Sequence, residues 1–383
     1  MYLKIKKYSV CSFALLTIAL LAGGAEAKVT GNCSNCHTMH NSQNGTAMAK
    51  QLNSTFTSFQ TDAAPNPMLL ISDCVGCHTY ADNTTTITAT NIPIVFNTAG
   101  YPSASLAGGN FYGVSGDNST KHNVAGLTAA QSLAPPGFKA LGTTDRPTGF
   151  TTSGSGWGPT SWTAGTQVTC AGTNGCHGDR STGYDDYKAV RGAHHANNMA
   201  VAKDGSTVAK SYRFLAGIMG SEISNYERQD QVSSTSHNAY YGVTNFSSKQ
   251  TISYLCGECH GNFHGASNLG GSAQVGTQSP WFRHPTDVAL VASGGSPFTT
   301  NYTTYDPNIP VAFSTNNTAN TTTSTVGSGS NIIMCLSCHR AHGSPYYKLM
   351  RWNIKGTTLL SSPTPNPATD ALYGCSKCHK GKD

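Results

Sequence analysis

Twelve of the thirteen cysteines fall into six pairs, and the second member of every pair is followed at once by histidine. The pairs are Cys33/Cys36-His37, Cys74/Cys77-His78, Cys170/Cys176-His177, Cys256/Cys259-His260, Cys335/Cys338-His339 and Cys375/Cys378-His379. Five read CxxCH; the third, CAGTNGCH, has five residues between its cysteines. Two thiols two residues apart reach the two vinyl groups of one porphyrin, and the histidine after the second thiol is then delivered to the iron. The chemistry expected is covalent attachment of six haem c groups with His37, His78, His177, His260, His339 and His379 as proximal iron ligands. Disulfides need no histidine after each second cysteine. Zinc sites pair CxxC units and need none in six cases out of six, and a thioredoxin-like CxxC belongs in a βαβ setting that is absent. At CAGTNGCH the alternative to a haem is a disulfide beside an idle histidine.

Eight further histidines remain: His40, His122, His194, His195, His237, His264, His284 and His342. Six irons would take six of these as second axial ligands. Only seven of the eight methionines remain after the initiator, and most sit in apolar contexts such as Pro67-Met68-Leu69-Leu70, so bis-histidine ligation is the economical expectation. It gives low potentials, because methionine ligation raises them. His40, His264 and His342 follow their own motifs by three or four residues. On a helix they lie on the proximal face, so each is expected to serve a neighbouring haem or none. His284 precedes Pro285 and is held extended. His194 and His195, being adjacent, point in different directions. No altered attachment motif marks a catalytic haem, so electron transfer is expected and enzymatic activity is not.

Lys4, Lys6 and Lys7 precede an apolar run from Val10 to Ala22, and small residues lead to Ala27. Residues 1–27 read as a secretory signal peptide whose removal discards Cys11 and lowers the formal charge from +6 to +4. Residues 28–383 then form one hexahaem domain, exported and with no membrane span. The weak positive excess and the lack of a Lys/Arg cluster argue against nucleic acid as a partner. Charged residues make up 11 % of the chain, against roughly 25 % in ordinary soluble domains. Stretches such as 143–166 and 296–330 show neither helical nor strand period. The fold expected is mostly coil, with short α-helices and few β-strands, organised around a chain of haems rather than a conventional core. Helices are placed at each motif, at 184–199 and at 346–354, and a strand pair within 86–96. The motifs are separated by 41, 96, 86, 79 and 40 residues, which suggests compact haem pairs at both ends and looser segments between. Apolar patches at 212–215 and 281–282 are expected to pack on porphyrin faces.

With these residues in view, the chain resembles the hexahaem outer-membrane cytochrome S type, whose members polymerise into extracellular filaments. The likeness runs through CHTMHNS at 36–42, His122-Asn123-Val124-Ala125-Gly126, Tyr212-Arg213, Arg283-His284-Pro285, CLSCHRAH at 335–342 and the CSKCHKGKD terminus. It implies an extracellular homopolymer that passes electrons along a continuous row of bis-histidine haems to other cytochromes and external acceptors. It also implies that His40 ligates a haem of the adjacent subunit, and that His122, His264, His284 and His342 are distal ligands. The family's third motif is CxxCH followed by Asp-Pro-His, whereas here CAGTNGCHGDR has no such histidine. His194, His195 or His237 must then supply the missing ligand. A monomeric periplasmic electron shuttle has the same motifs, and a multihaem oxyanion reductase is the third class.

Overall fold

The computed structural model describes residues 31–52, 59–61, 64–103, 106–112, 119–130, 133–138, 157–196, 202–223, 227–228, 232–244, 248–263, 284, 286–290, 302–315, 325–327, 329–361 and 364–379. The signal segment, Cys11, His264, Trp281, Phe282, Arg283 and Pro285 lie outside the described residues. Among the described residues, no helix is long and apolar enough to cross a membrane.

Regular structure is sparse, as the composition requires, and it gathers at the cysteine motifs. Among the described residues, four of five α-helices carry motif cysteines: α1 (Cys74–Cys77), α3 (Ile252–Gly257), α4 (Cys335–Cys338) and α5 (Cys375–Cys378); α2 spans Asp186–Ala189. Single turns of this kind do not nucleate unaided, so local caps close them. The Asp73 carboxylate accepts from Gly76 N at 2.7 Å, Asp185 from Lys188 N at 2.7 Å, and Thr251 from Tyr254 N at 3.2 Å. A helix at every motif, as the sequence suggested, is not what forms. The first motif makes a 3-10 turn, Cys33–Asn35. The third makes two short parallel strands, Thr169–Ala171 and Gly175–His177, because five intervening residues are too many for one helical turn. The helix expected over 184–199 shrinks to α2, and that over 346–354 to a turn at Tyr347–Leu349 with backbone in the left-handed region. The strand pair within 86–96 forms, as Thr86–Ile87 against Ile92–Pro93.

One larger sheet joins the C-terminal half: β1 (Ala202–Lys203), β2 (Gly220–Ser221), β3 (Ala239–Tyr241), β4 (Val288–Ala289), β5 (Ala312–Phe313) and β6 (Asn331–Ile333), in the order β1-β2-β3-β5-β6-β4. β3 and β5 run parallel, with Tyr240 opposite Ala312, and the other pairs are antiparallel. Buried residues form three clusters, and each reaches motif cysteines. The first, centred on Tyr240, Ala312 and Ile332, packs on Cys256; the second, with Tyr302, Tyr305 and Trp352, packs on Cys338 and Cys378; the third, with Val75 and Phe111, packs on Cys170. The aperiodic stretch 296–330 is therefore not all surface loop. Tyr302, Tyr305, Ile309 and Val311 within it are buried at irregular spacing that neither sequence period detects.

Ile332 is 1 % exposed between Ala312 and the helix-bearing segments. Ile332→Ala should lower unfolding free energy by about 2–5 kcal/mol, read as a fall in the denaturant midpoint at unchanged slope.

Candidate haem sites

The histidines meet in pairs. Ring centroids lie 6.2 Å apart for His37 and His195, 6.3 Å for His122 and His260, 6.2 Å for His177 and His342, and 6.0 Å for His284 and His379. Each pair joins one motif histidine to one of the eight spare histidines. Two imidazoles bound to opposite sides of one metal stand about 6 Å apart, from two metal–nitrogen bonds of about 2 Å and about 1 Å inside each ring. Four pairs at this spacing fit a bis-imidazole iron, whereas stacked rings in van der Waals contact would be far closer. His237 provides that contrast, since its ring lies 3.5 Å from Tyr305 at 6° and is wholly buried.

The rings are also aimed. The Nδ1 of five of the six motif histidines meets a backbone carbonyl: His37 with Met68 at 3.0 Å, His78 with Pro93 at 2.9 Å, His177 with Arg213 at 2.9 Å, His260 with Pro136 at 2.7 Å and His339 with Lys348 at 2.8 Å. His122 does the same with Ala341 O at 2.7 Å. An Nδ1–H donating to a carbonyl fixes the tautomer and leaves the Nε2 lone pair for a metal. Burial, and then its neighbour His260, lowers the His122 pKa to about 4; burial, and then His177, lowers that of His342 to about 3. Both rings are therefore neutral at pH 7, as a ligand must be.

The thiols run in sequence order. Burial pushes Cys77 up to about 12, with Cys36 adding to the shift. Cys170 is raised first by a hydrogen bond with Cys74, and Cys256 first by one with Cys335. Burial raises Cys259, with Cys176 adding, and takes Cys338 to about 12, with Cys378 adding. Successive motifs also meet in contacts: Ile71 N, just before the second motif, donates to Cys36 O at 2.8 Å, Cys74 and Cys170 place their Sγ atoms within 4.8 Å, Arg180 ties the third motif to Glu258 of the fourth, Cys335 N donates to Ser253 Oγ at 3.4 Å, and Cys338 and Cys378 pack on one cluster. The looser middle expected from the spacing is absent at the motifs themselves. Among the described residues no two cysteines are joined in a disulfide. Cys74, Cys170 and Asp186 place ligand atoms within 4.8 Å of one another, a proximity that follows from the second and third motifs meeting there.

Sequence reasoning put His40, His264 and His342 on the helical face of their own motifs. The premise does not hold at the fifth site, since α4 ends at Cys338 and His339 is extended. There His342 faces His177 of the third motif, not His339 of its own. Of the three candidates left open for the third motif's missing histidine, His195 faces His37 instead, His194 lies 5.1 Å from the Phe214 ring, and His237 stacks on Tyr305. His40 is exposed beside Met39, itself 80 % exposed. Among the described residues, no histidine ring faces His78 or His339.

One contact was invisible in the sequence. Arg180, fully buried, forks onto Glu258 inside the fourth motif (Nε to Oε2 2.7 Å, Nη2 to Oε1 2.8 Å), while Nη1 reaches the carbonyls of Cys176 at 3.4 Å and Ala216 at 3.3 Å. Trp157 Nε1 donates to the same carboxylate at 3.1 Å. This ties the unusual third motif to the fourth.

No family model matches the chain. It is similar to the C-type cytochrome OmcS of Geobacter sulfurreducens, at 24 % identity, with 97 % of each chain covered. Among solved structures it is similar to the outer membrane cytochrome S filament from Geobacter sulfurreducens, at 19 % identity, 92 % of each chain and a TM-score of 0.42. A cryo-EM structure of the OmcS nanowires from the same organism gives 18 % identity and the same TM-score and coverage. The likeness to an OmcS-type cytochrome drawn from the motifs is thus met across nearly the whole chain.

All twelve motif cysteines should resist alkylation after full unfolding in excess reductant, and the intact mass should exceed that of the polypeptide by six haem masses. Twelve alkylated cysteines would mean free thiols or disulfides instead.

Proposed function

We propose that the chain is an exported multihaem electron carrier that assembles with copies of itself and conducts electrons toward external acceptors. The observation that carries this reading is the set of four imidazole pairs 6.0–6.3 Å apart, each holding one CxxCH-type histidine. The similarity to OmcS over 97 % of the chain supports it. Haem c, when bound, supplies a one-electron iron couple; the protein's task is to hold, insulate and align six of them. The twelve motif cysteines hold the porphyrins. His195, His342, His122 and His284 close the first, third, fourth and sixth irons against His37, His177, His260 and His379. An iron held between two such imidazoles would supply electron transfer and would leave no coordination site for a substrate, which suits conduction rather than catalysis. The contacts between successive motifs, such as Cys74 with Cys170 and Cys335 N with Ser253 Oγ, support electron passage in sequence order.

Two proximal histidines, His78 and His339, then need ligands. His264 and His40 remain once the pairs above are made, and His194 and His237 are surplus. His339 is exposed and His78 partly buried. We assign the exposed His339 to His40 of an adjacent copy, and His78 to His264 of the same chain. Polymerisation and the sixth ligation then become one event.

The spectrum and the assembly test this together. Wild-type protein should be wholly low-spin when oxidised and filamentous by electron microscopy. His40→Ala should give one high-spin haem per chain and dispersed particles. His195→Ala should give one high-spin haem with filaments retained, while His194→Ala and His237→Ala should stay low-spin. Filaments persisting in His40→Ala would overturn the assembly; a high-spin haem in the wild type would favour an oxyanion reductase.

A further inference from the structure

Three of the proximal histidines rest on the same unusual piece of backbone. Met68-Leu69, Arg213-Phe214 and Lys348-Leu349 are pairs of consecutive non-glycine residues at positive φ (59° and 55°, 47° and 59°, 60° and 58°). The left-handed conformation is disfavoured for L-residues because Cβ crowds the following carbonyl oxygen, and such pairs persist only where the surroundings enforce them. In each turn the fourth residue donates its N–H to the first: Leu70 to Pro67 O at 3.3 Å, Leu215 to Tyr212 O at 2.8 Å, Met350 to Tyr347 O at 3.3 Å.

The turns meet the motifs identically. The carbonyl of the second residue accepts the proximal Nδ1–H, at His37, His177 and His339. The carbonyl of the third accepts the N–H of the residue after that histidine: Thr38 to Leu69 O at 2.8 Å, Gly178 to Phe214 O at 2.6 Å, Arg340 to Leu349 O at 2.8 Å. Left-handed backbone turns both carbonyls to one side, and that is what makes two acceptors available together. At the first and fifth sites a return bond closes the cradle, Ile71 N to Cys36 O and Arg351 N to Cys338 O, both at 2.8 Å. At the third site the Arg180 guanidinium takes that role on Cys176 O. His78 and His260 are served differently, by Pro93 O and Pro136 O.

We propose that these turns are the positioning elements of the odd-numbered haem sites, and that the chain therefore alternates two classes of proximal histidine along its first five sites. The inference rests on the haem ligation proposed above. A carbonyl held rigidly on Nδ1–H increases the basicity of the imidazole and stabilises oxidised iron, which keeps the potential low. The side chains of Met68 and Lys348 are exposed, so substitution there acts on the backbone.

Lys348→Pro and Met68→Pro forbid positive φ, whereas Lys348→Gly and Met68→Gly accept it freely. The proline variants should each keep six haem masses and a low-spin spectrum, with one midpoint potential displaced upward and one low-spin electron-paramagnetic signal shifted. The glycine variants should match the wild type in both. If a proline variant does not accumulate, Leu349→Val and Leu69→Val, which burden the same turns with a β-branched residue, should give a smaller shift in the same direction. Proline variants with wild-type potentials and signals would overturn the proposal, as would a shift at only one of the two turns. A wild type that lacks low-spin haem would instead sink the ligation on which it rests.

Discussion

Two imidazoles facing each other about 6 Å apart is a demanding arrangement, and most of this fold serves it. The gap is too wide for the rings to attract one another through contact and too narrow for bulk solvent between them, so neither ring is held by its partner. Each must be held from behind. That is the work of the backbone carbonyls on Nδ1, of the segments that bring Ala341 to His122 and Arg213 to His177, and of the small apolar clusters beneath the motif cysteines. The paired rings also come from segments remote in sequence, so each pair closes a long loop. A chain closed several times in this way needs little regular structure, which accounts for two-residue strands and one-turn helices.

Burial then does electrostatic work. Imidazoles kept neutral retain the lone pair a metal requires, and His122 and His342 are linked through backbone as well, His122 N donating to His342 O at 3.1 Å. Orienting one ring thus orients the other, and these two rings face motif histidines of neighbouring sites. One buried charge is matched closely: the Glu258 carboxylate accepts from two guanidinium nitrogens and an indole. Removing one member of such a pair costs about 3–5 kcal/mol, because the other is stranded. Its position between the third and fourth motifs compensates for the lack of an attachment helix at CAGTNGCH.

The proposed attachment residues are legible in the sequence because thioether chemistry fixes both residue type and spacing. So was the scarcity of regular structure, since long Thr/Asn/Gly stretches lack any period. What stayed hidden depends on direction. His194 and His195 are indistinguishable as letters, yet one faces His37 and the other an aromatic ring. The buried tyrosines of 302–311 carry no periodic signal because irregular backbone buries them one at a time. The left-handed turns are hidden most completely. Glycine is the residue that advertises positive φ, and Met68-Leu69, Arg213-Phe214 and Lys348-Leu349 contain none. The Tyr212–Leu215 patch, read as apolar cover for a porphyrin, serves through its backbone, with Arg213 O under His177 and Tyr212 in the core.

Strained turns of ordinary residues recurring under three histidines call for a physical reason. Glycine at those positions would adopt the same turn, and the flanking hydrogen bonds would hold its carbonyls in the same place, but it would open more alternatives to the chain before those bonds form. A side-chain-bearing residue forced left-handed by hydrogen bonds on both flanks has few alternatives nearby, because the barrier-free region available to glycine is closed to it. The conformational cost is thus exchanged for a narrow range of ring orientations. For a protein whose proposed task is to pass electrons without rearrangement, a fixed ligand is worth more than a relaxed loop. In an otherwise loosely structured chain, rigidity is concentrated at the atoms behind the proximal rings.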